Sequence, residues 1–541
     1  MLLVSTEQMR DLEQAAVDAG ATWSSLMEQA GWGVAQEALR RQGAAQTWRV
    51  LVLVGPGNNG GDGLVAARHL ADARVQAGLY IWKRSNPEQD ANWQRCRQRD
   101  LPETLASDDP DRQSLHRLLL DADLVIDALL GMGISRPVTG ELADIVHSVN
   151  SLCEPQARFS VLSIDVPTGI HSDTGAVMSV AVQADLTVAT GLVKRGLLCY
   201  PGKFFAGAIA LADIGLPSRD LEAIMSETLQ AERVRAFLPA RPADSHKGTF
   251  GKVLVIAGSL HYPGAAALAT AGAGRVGAGL VTLATGRNIL GASGRGPEVT
   301  LLPLPEADWG TIGPEAAEEI FKQIEGYQAL LIGPGLGHEE PTRLFLQRLL
   351  GLEQPRIRSR VGFLTHNTGA KTEGEQRPAP TLPPIVLDAD GLNLLAQIED
   401  WPEHLPKERF IFTPHPGEMK RLLKVEELNA DLVQVATDAA ARWGQIVVLK
   451  GATTIVAAPD GRSLVHAGGN AALATAGTGD VLSGAIAGLL AQGVDLFGAA
   501  ALGVYLHAAA GVLVREELGD AGPLASDLLI RLPRAIKELK H

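Results

Sequence analysis

The 541-residue chain is poor in cysteine, with only three, Cys96, Cys153 and Cys199. Their separations match no metal-binding spacing and an odd number cannot pair completely, so buried thiols in a reducing compartment are expected instead of a disulfide framework. Basic charge is also in deficit: 48 Lys and Arg against 61 Asp and Glu leave a formal charge of -13. Nucleic acid and anionic membrane both demand a basic face, so neither is expected as a partner. The first residues, MLLVSTEQMR, lack the basic start and long apolar core of a secretory signal, which makes the cytoplasm the expected compartment.

What is present is a globular composition, 46% hydrophobic and 20% charged, on a chain too long for one ordinary core. Short runs rich in Val, Ile and Leu alternate with alanine-rich helical patterns. The first series comprises RVLVLVG, VQAGLYIW, DLVIDALLG, FSVLSIDVP and DLTVATG. The second comprises GKVLVIAGS, GLVTLAT, YQALLIGPG, PPIVLDAD, RFIFTPH, QIVVLKG and TTIVAAPDG. Continuous apolar runs of this length predict strands covered on both faces, hence doubly wound parallel sheets in an α/β chain. A polar, helix-prone passage from Asp213 to Pro242 separates the series. The expected domains are 1–222 and 223–541, the second interrupted at 353–382 by a segment with neither period that reads as a solvated insertion. Glycine- and alanine-rich apolar surfaces make a homo-oligomer the expected state, of unspecified order.

VLVLVGPGNNGGDGLVAARHL, from Val50 to Leu70, predicts a strand, a tight turn and a helix. Gly55, Gly57 and Gly60 satisfy the dinucleotide pattern G-x-G-x-x-G. The second strand, however, ends in Trp82, Lys83 and Arg84, where such a site wants an acidic residue for the ribose. No Gly-Lys-Ser/Thr follows, so a P-loop is excluded. Asn58, Asn59 and Asp62 remain to be explained, either as residues that tolerate left-handed turns or as oxygen-bearing site groups. Asp127, followed by a glycine-rich turn with Arg136, and Asp165 with Thr168 close two further apolar runs. Strand ends of a doubly wound sheet converge on the ligand crevice, and three of them carrying oxygen donors favour a site.

NNGGD, DALLGMG and SIDVPTG, in this order, resemble the NAD(P)H-hydrate epimerase domain from about Met9 to about Leu216. The resemblance implies a Rossmann-like fold whose ligand is a nicotinamide cofactor hydrated at C6. It also implies that Asn58, Asn59, Gly60, Gly61 and Asp62, with Gly131, Met132, Gly133, Ile134, Ser135, Arg136 and Pro137, hold the hydrate. Asn59, Asp127 and Thr168 would bind potassium through hard oxygens, and Asp165 would be the acid/base.

In the second half, Gly477, Thr478, Gly479 and Asp480 open a glycine- and alanine-rich helix. Glycines admit a phosphate to the helix N-terminus, and an aspartate there can take a proton from a neighbouring hydroxyl. The alternative is a glycine-lined packing helix with a capping Asp. HKGTFGKVLVIAGS, LLIGPGLG, VLDADGLNLL, FTPHPGEM and VLKGATTIV resemble the ribokinase-like superfamily and, within it, the ADP-dependent NAD(P)H-hydrate dehydratases. That resemblance implies that Lys450, Gly451, Ala452, Thr453, Thr454 and Gly479 line an ADP site used with Mg2+. Ala265, Gly335, His415 and Asp480 would face the hydrate, with Asp480 catalytic. Two alternatives stay open: a small-molecule kinase acting on a vitamin alcohol, and a first domain that only binds a cofactor or partner.

Overall fold

The computed structural model describes residues 1–42, 48–152, 159–353 and 381–541. Cys153 and positions 354–380 of the expected insertion lie outside the described residues. The chain divides into two compact units: Met1–Thr228 with Asn429–Val433 and Val465–Gly469, and Leu229–Leu428 with Gln434–Leu464 and Asn470–His541.

In the first unit the strands lie edge to edge as Glu103–Leu105, Gln76–Ile81, Arg49–Val54, Leu124–Ala128, Ser160–Ile164, Leu186–Thr190 and Ala208–Ala212. Every adjacent pair is parallel. Alternate residues of each strand feed separate cores on the two faces. Val50, Val52 and Val54 pack with Leu64 and Leu70 on one, and Leu51 and Leu53 with Leu115 and Ile145 on the other. This is why the strands read as unbroken apolar runs. The chain order reverses between Arg49–Val54 and Leu124–Ala128, the switch point where a crevice opens at the strand C-termini.

The second unit places Thr454–Ala457, Ile446–Leu449, Phe410–Phe412, Ile385–Leu387, Ala329–Ile332, Lys252–Ile256, Leu280–Gly286 and Thr300–Leu304 in that order across a sheet. All these neighbours are parallel except Ile446–Leu449 with Thr454–Ala457. Its switch point lies between Lys252–Ile256 and Ala329–Ile332. The helices Pro263–Arg275 and Thr478–Ala491 pack closely: a Cβ at Gly484 would stand 2.1 Å from the Ala269 carbonyl oxygen. Among the described residues one helix, Leu496–Leu518, has the length and apolar composition to cross a membrane, and 78% of its most apolar window is buried inside the fold.

All twelve runs named above contain strands. The strands not foreseen are short or atypical. Ala208–Ala212 is alanine-rich, Thr300–Leu304 carries Pro303 at a sheet edge, and Leu3–Val4 and Val193–Lys194 have two residues each.

Candidate active sites

In the first unit, the exits of Arg49–Val54, Leu124–Ala128 and Ser160–Ile164 surround a cavity of about 1020 Å³. Asn58, Asn59, Asp62, the whole turn Gly131–Pro137 and Asp165 line it. Gly60 and Gly61 are buried and absent from the lining. The glycine pattern answers first to packing: a Cβ on Gly55 would fall 1.7 Å from the Leu129 carbonyl oxygen. Arg84, which stands where a dinucleotide site wants an acid, donates to the carbonyls of Gly55 and Gly57 at 3.0 and 2.9 Å. It thereby clamps the turn.

Asp127 and Thr168 meet below the turn. Fully buried, Asp127 accepts from the Thr168 amide (2.8 Å), the Thr168 hydroxyl (2.7 Å) and the Ser163 hydroxyl (2.9 Å). Burial pushes its carboxyl above the usual range despite those donors. The Thr168 hydroxyl also accepts from the Leu130 amide at 2.9 Å. Asn59 sits against Gly131, where a Cβ would lie 2.9 Å from its Oδ1. The Asn59 amino group is buried without a hydrogen-bond partner among the described residues.

Asp165 occupies the left-handed region at φ +66, a conformation that costs a non-glycine residue about 1 kcal/mol or more and concentrates at functional sites. The turn is held by Asp165 N–H donating to the Val188 carbonyl at 2.8 Å. Its Oδ1 accepts from the Thr190 hydroxyl (2.8 Å) and from the ammonium of Lys194 (2.5 Å). Lys194 is wholly buried. Sequence reasoning passed over it; the available signal was a lysine inside the apolar stretch Leu192–Lys194. It also passed over Arg10 and Glu13, which line the cavity from the helix Thr6–Asp18.

In the second unit, Asp480 is the third residue of the helix Thr478–Ala491, entered through Gly477 at φ +92. Burial first, then the neighbouring Asp388 carboxylate, push its carboxyl up to about 7. Lys450 lies beside the same helix start: a Cβ on Gly479 would stand 3.6 Å from its Nζ. The Lys450 ammonium donates to Asp388 at 2.7 Å. Burial works against that charge, but the carboxylates of Asp388 and Glu418 outweigh it and hold Lys450 above its ordinary value.

The Lys450 amide donates to the Pro414 carbonyl at 2.9 Å, joining the Lys450–Thr454 turn to the His415 turn. His415 caps the helix Pro416–Leu423 by accepting from the Gly417 amide at 3.0 Å. Burial and the cations Lys450 and Arg421 lower its pKa, favouring neutral imidazole. Thr454 closes its own turn by donating to the Gly451 carbonyl at 3.1 Å. Ala265 and Gly335 adjoin at the switch point, where a Cβ on Gly335 (φ +63) would stand 2.9 Å from the Ala265 Cβ. The groups not foreseen here are Asp388 and Glu418; burial pushes the Glu418 carboxyl to about 7. Both lie inside motifs quoted above, one at a strand end and one in a helix first turn.

Two parallel sheets, each with a perturbed carboxyl and a lysine–aspartate ion pair gathered at its strand ends, define a two-unit α/β enzyme. Residues 24–196 match the family described as YjeF-related protein N-terminus. Residues 253–359 and 371–534 match the family described as NAD(P)H-hydrate dehydratase. The bifunctional NAD(P)H-hydrate repair enzyme Nnr of Thermofilum pendens is 36% identical, over 99% of this chain and 96% of its own. The enzyme of the same name from Moorella thermoacetica is 34% identical, over 100% and 98%. Among solved structures, the ADP/ATP-dependent NAD(P)H-hydrate dehydratase of Bacillus subtilis, co-crystallized with ATP and Mg2+, is 33% identical with a TM-score of 0.46, covering 58% of this chain and 98% of its own. The chain belongs to the family of bifunctional NAD(P)H-hydrate repair enzymes.

Proposed function

We propose that the first unit interconverts the C6 epimers of hydrated NADH and NADPH, and that the second removes the hydroxyl of one epimer at the expense of ADP. The observation that carries the reading is one chain holding both an ion-paired Asp165 on a cavity large enough for a nicotinamide ring and a carboxyl near neutrality, Asp480, at a glycine-lined helix start.

In the first unit Asp165 acts at the C6 hydroxyl. A proton given to that oxygen lets water leave, and water returning to the iminium carbon yields a proton to a carboxylate. Asn58, Asp62 and the Gly131–Pro137 turn hold the hydrate. Asn59, Asp127 and Thr168 suit potassium: Asp127 is a fully buried carboxylate with no cationic side chain paired to it among the described residues. A monovalent cation would supply that counter-charge and fix the strand-end turns.

In the second unit Asp480 takes the proton of the C6 hydroxyl as its oxygen attacks the terminal phosphoryl group of ADP. The P–O bond to AMP breaks; phosphate then departs from C6 with the C–O electron pair and a C5 proton is lost to solvent as the C5=C6 double bond forms, leaving the dihydronicotinamide, AMP and phosphate. Lys450, Gly479 and the helix start place positive potential where phosphoryl charge accumulates. Gly451–Thr454 hold the nucleotide, while Ala265, Gly335 and His415 face the hydrate. Mg2+ would enter with the nucleotide and shield its phosphates, the nearby hard donors being the carboxylates of Asp388 and Asp480.

A kinase acting on a stable alcohol leaves the first unit without a task, and a binding-only first unit leaves Asp165 without one. The family assignment over the full chain disfavours both. The test is incubation of the protein with mixed hydrate epimers, with and without ADP, followed by dihydronicotinamide absorbance. Recovery of both epimers with ADP, and of neither without it, is expected. Recovery of one epimer alone would remove the first activity, and recovery without ADP would remove the second mechanism.

A further inference from the structure

Epimerisation at C6 sets a stereochemical problem that one carboxylate does not solve. A hydroxyl on one face of the ring must receive a proton as it leaves, and water arriving on the other face must lose one. If a single group serves one face, water returns where it left and the configuration is retained. Inversion calls for a second proton-handling group, separated from the first by the ring, as in glycosidases that invert configuration.

The strand Leu3–Val4 runs parallel to Val193–Lys194, with Val4 opposite Lys194, the residue paired to Asp165. Helix Thr6–Asp18 starts directly afterwards. A Ser5–Gln8 capping box fixes its start, and the Thr6 amide donates to Asp173 at 2.7 Å on the loop that follows Asp165. Met9, Leu12 and Ala16 are buried on this helix. Arg10 and Glu13, one turn apart, face the cavity. Arg10 reaches the turn Gly131–Pro137, where a Cβ on Gly133 would lie 3.3 Å from its Nη2. Both residues precede the segment that matches the family model, which begins at 24.

We infer that Glu13 is the second acid/base of the epimerase site, acting on the face of the nicotinamide ring opposite Asp165. This rests on the epimerase reading above. Glu13 as the acid gives its proton to the C6 hydroxyl, the C6–O bond breaks, and water leaves. Asp165 takes a proton from the water that bonds to C6 on the other face. The net change is inversion with one proton moved from Glu13 to Asp165; the opposite direction exchanges the roles, and solvent resets both groups. Burial favours the protonated Glu13 carboxyl, Lys194 opposes it, and Asp165 reinforces it. One carboxyl is thus kept acidic while the other is paired to an ammonium, the arrangement that assigns acid and base to two like groups. Asp62 lines the same cavity and is also pushed well above the usual carboxylate range, by burial and then by Asp165 as the leading charge. Glu13 is the next charge acting on Asp62, so Asp62 is the rival for the role, and the variants Glu13→Gln and Asp62→Asn distinguish the two.

The test is Glu13→Gln in the full chain, with the hydrate incubated in 18O-labelled water. Wild-type protein should exchange the C6 oxygen and interconvert the epimers together. Glu13→Gln should lose interconversion by at least about a hundredfold yet still exchange oxygen with retention through Asp165, and Glu13→Asp should recover part of the loss. ADP-dependent dehydration of the reactive epimer, run in the same samples, should stay at the wild-type rate and reports a folded protein. Interconversion by Glu13→Gln at the normal rate overturns the proposal, as does loss of exchange in step with interconversion. If Asp62→Asn separates exchange from inversion and Glu13→Gln does not, the role belongs to Asp62. A wild-type chain that neither exchanges nor interconverts removes the epimerase reading itself.

Discussion

Each unit contains a lysine bonded to a buried strand-end aspartate, and the two pairs are placed differently. In the first unit the lysine is bonded to the proposed acid/base itself: Lys194 and Asp165 are 2.5 Å apart, with side chains 0% and 6% exposed. In the second unit Lys450 binds Asp388 at 2.7 Å, with side chains 18% and 1% exposed. The proposed base, Asp480, stands outside that pair, and Asp388 helps push it up to about 7. Epimerisation needs a carboxylate with a fixed counter-charge beside a transient iminium. Phosphoryl transfer needs a base that takes a proton near neutrality and a cation beside it to meet the phosphate. The same two residue types therefore give different chemistry according to whether the lysine neutralises the catalytic acid or its neighbour. Strain accompanies both sites: Asp165 at φ +66 and Ala389, next to Asp388, at φ +49.

The sharpest way to break this contrast is Lys194→Met, which leaves Asp165 buried and unpaired. It should cost about 3–5 kcal/mol of stability, read by denaturant unfolding. Lys450→Met should cost less, because the Lys450 side chain is 18% exposed against 0% for Lys194, so water can take its place beside Asp388. Equal losses would mean that the two pairs are interchangeable structural devices.

Asp480→Asn should lower ADP-dependent dehydration by at least about a hundredfold, ~2.7 kcal/mol in the barrier, with epimer exchange by chromatography unchanged. Dehydration near the wild-type rate would take the base away from Asp480.

The pH profile sharpens the contrast further. Asp480 must be deprotonated to act, and its carboxyl titrates at about 7. Dehydratase kcat/KM should therefore fall as pH drops below about 7, approaching tenfold per unit. Glu418 titrates in the same window, so the limb should persist in Glu418→Gln and move in variants that change Asp388. A limb confined below pH 5 would contradict the arrangement.

The smallest effect expected is that of potassium. Replacing it with choline should weaken hydrate binding to the first unit severalfold by calorimetry and leave dehydration of the reactive epimer unaffected. Asp127→Ala should reproduce the loss and abolish the ion's influence. Indifference of wild-type epimerisation to potassium would remove the ion.

Much of the fold was legible. The apolar runs that became central strands are long and bounded by turn residues, and Gly477 and Asp480 read correctly as the start of a helix. Edge and two-residue strands were not legible, since alanine, proline or two positions carry no period; Val193–Lys194 is such a strand, so the lysine on it went unread. Asp127 and Asp165 stood out because oxygen-bearing side chains at the ends of apolar runs are conspicuous, and Asp62 because it lies among glycines. Glu13 lay in an ordinary amphipathic helix and was not.

By itself the sequence determined which segments extend, which coil, and which strand ends carry acids, because those properties follow from neighbours within a few residues. Tertiary structure alone decided which acids meet. Lys194 reaches Asp165 across 29 residues, Thr168 reaches Asp127 across 41, and Lys450 reaches Asp388 across 62. Each meeting depends on the order of parallel strands, which crossover connections set and no local pattern encodes. Burial then gave each charge its meaning: the cost of desolvation and the nearest partner decide whether an aspartate is a counter-ion, an anchor or a base.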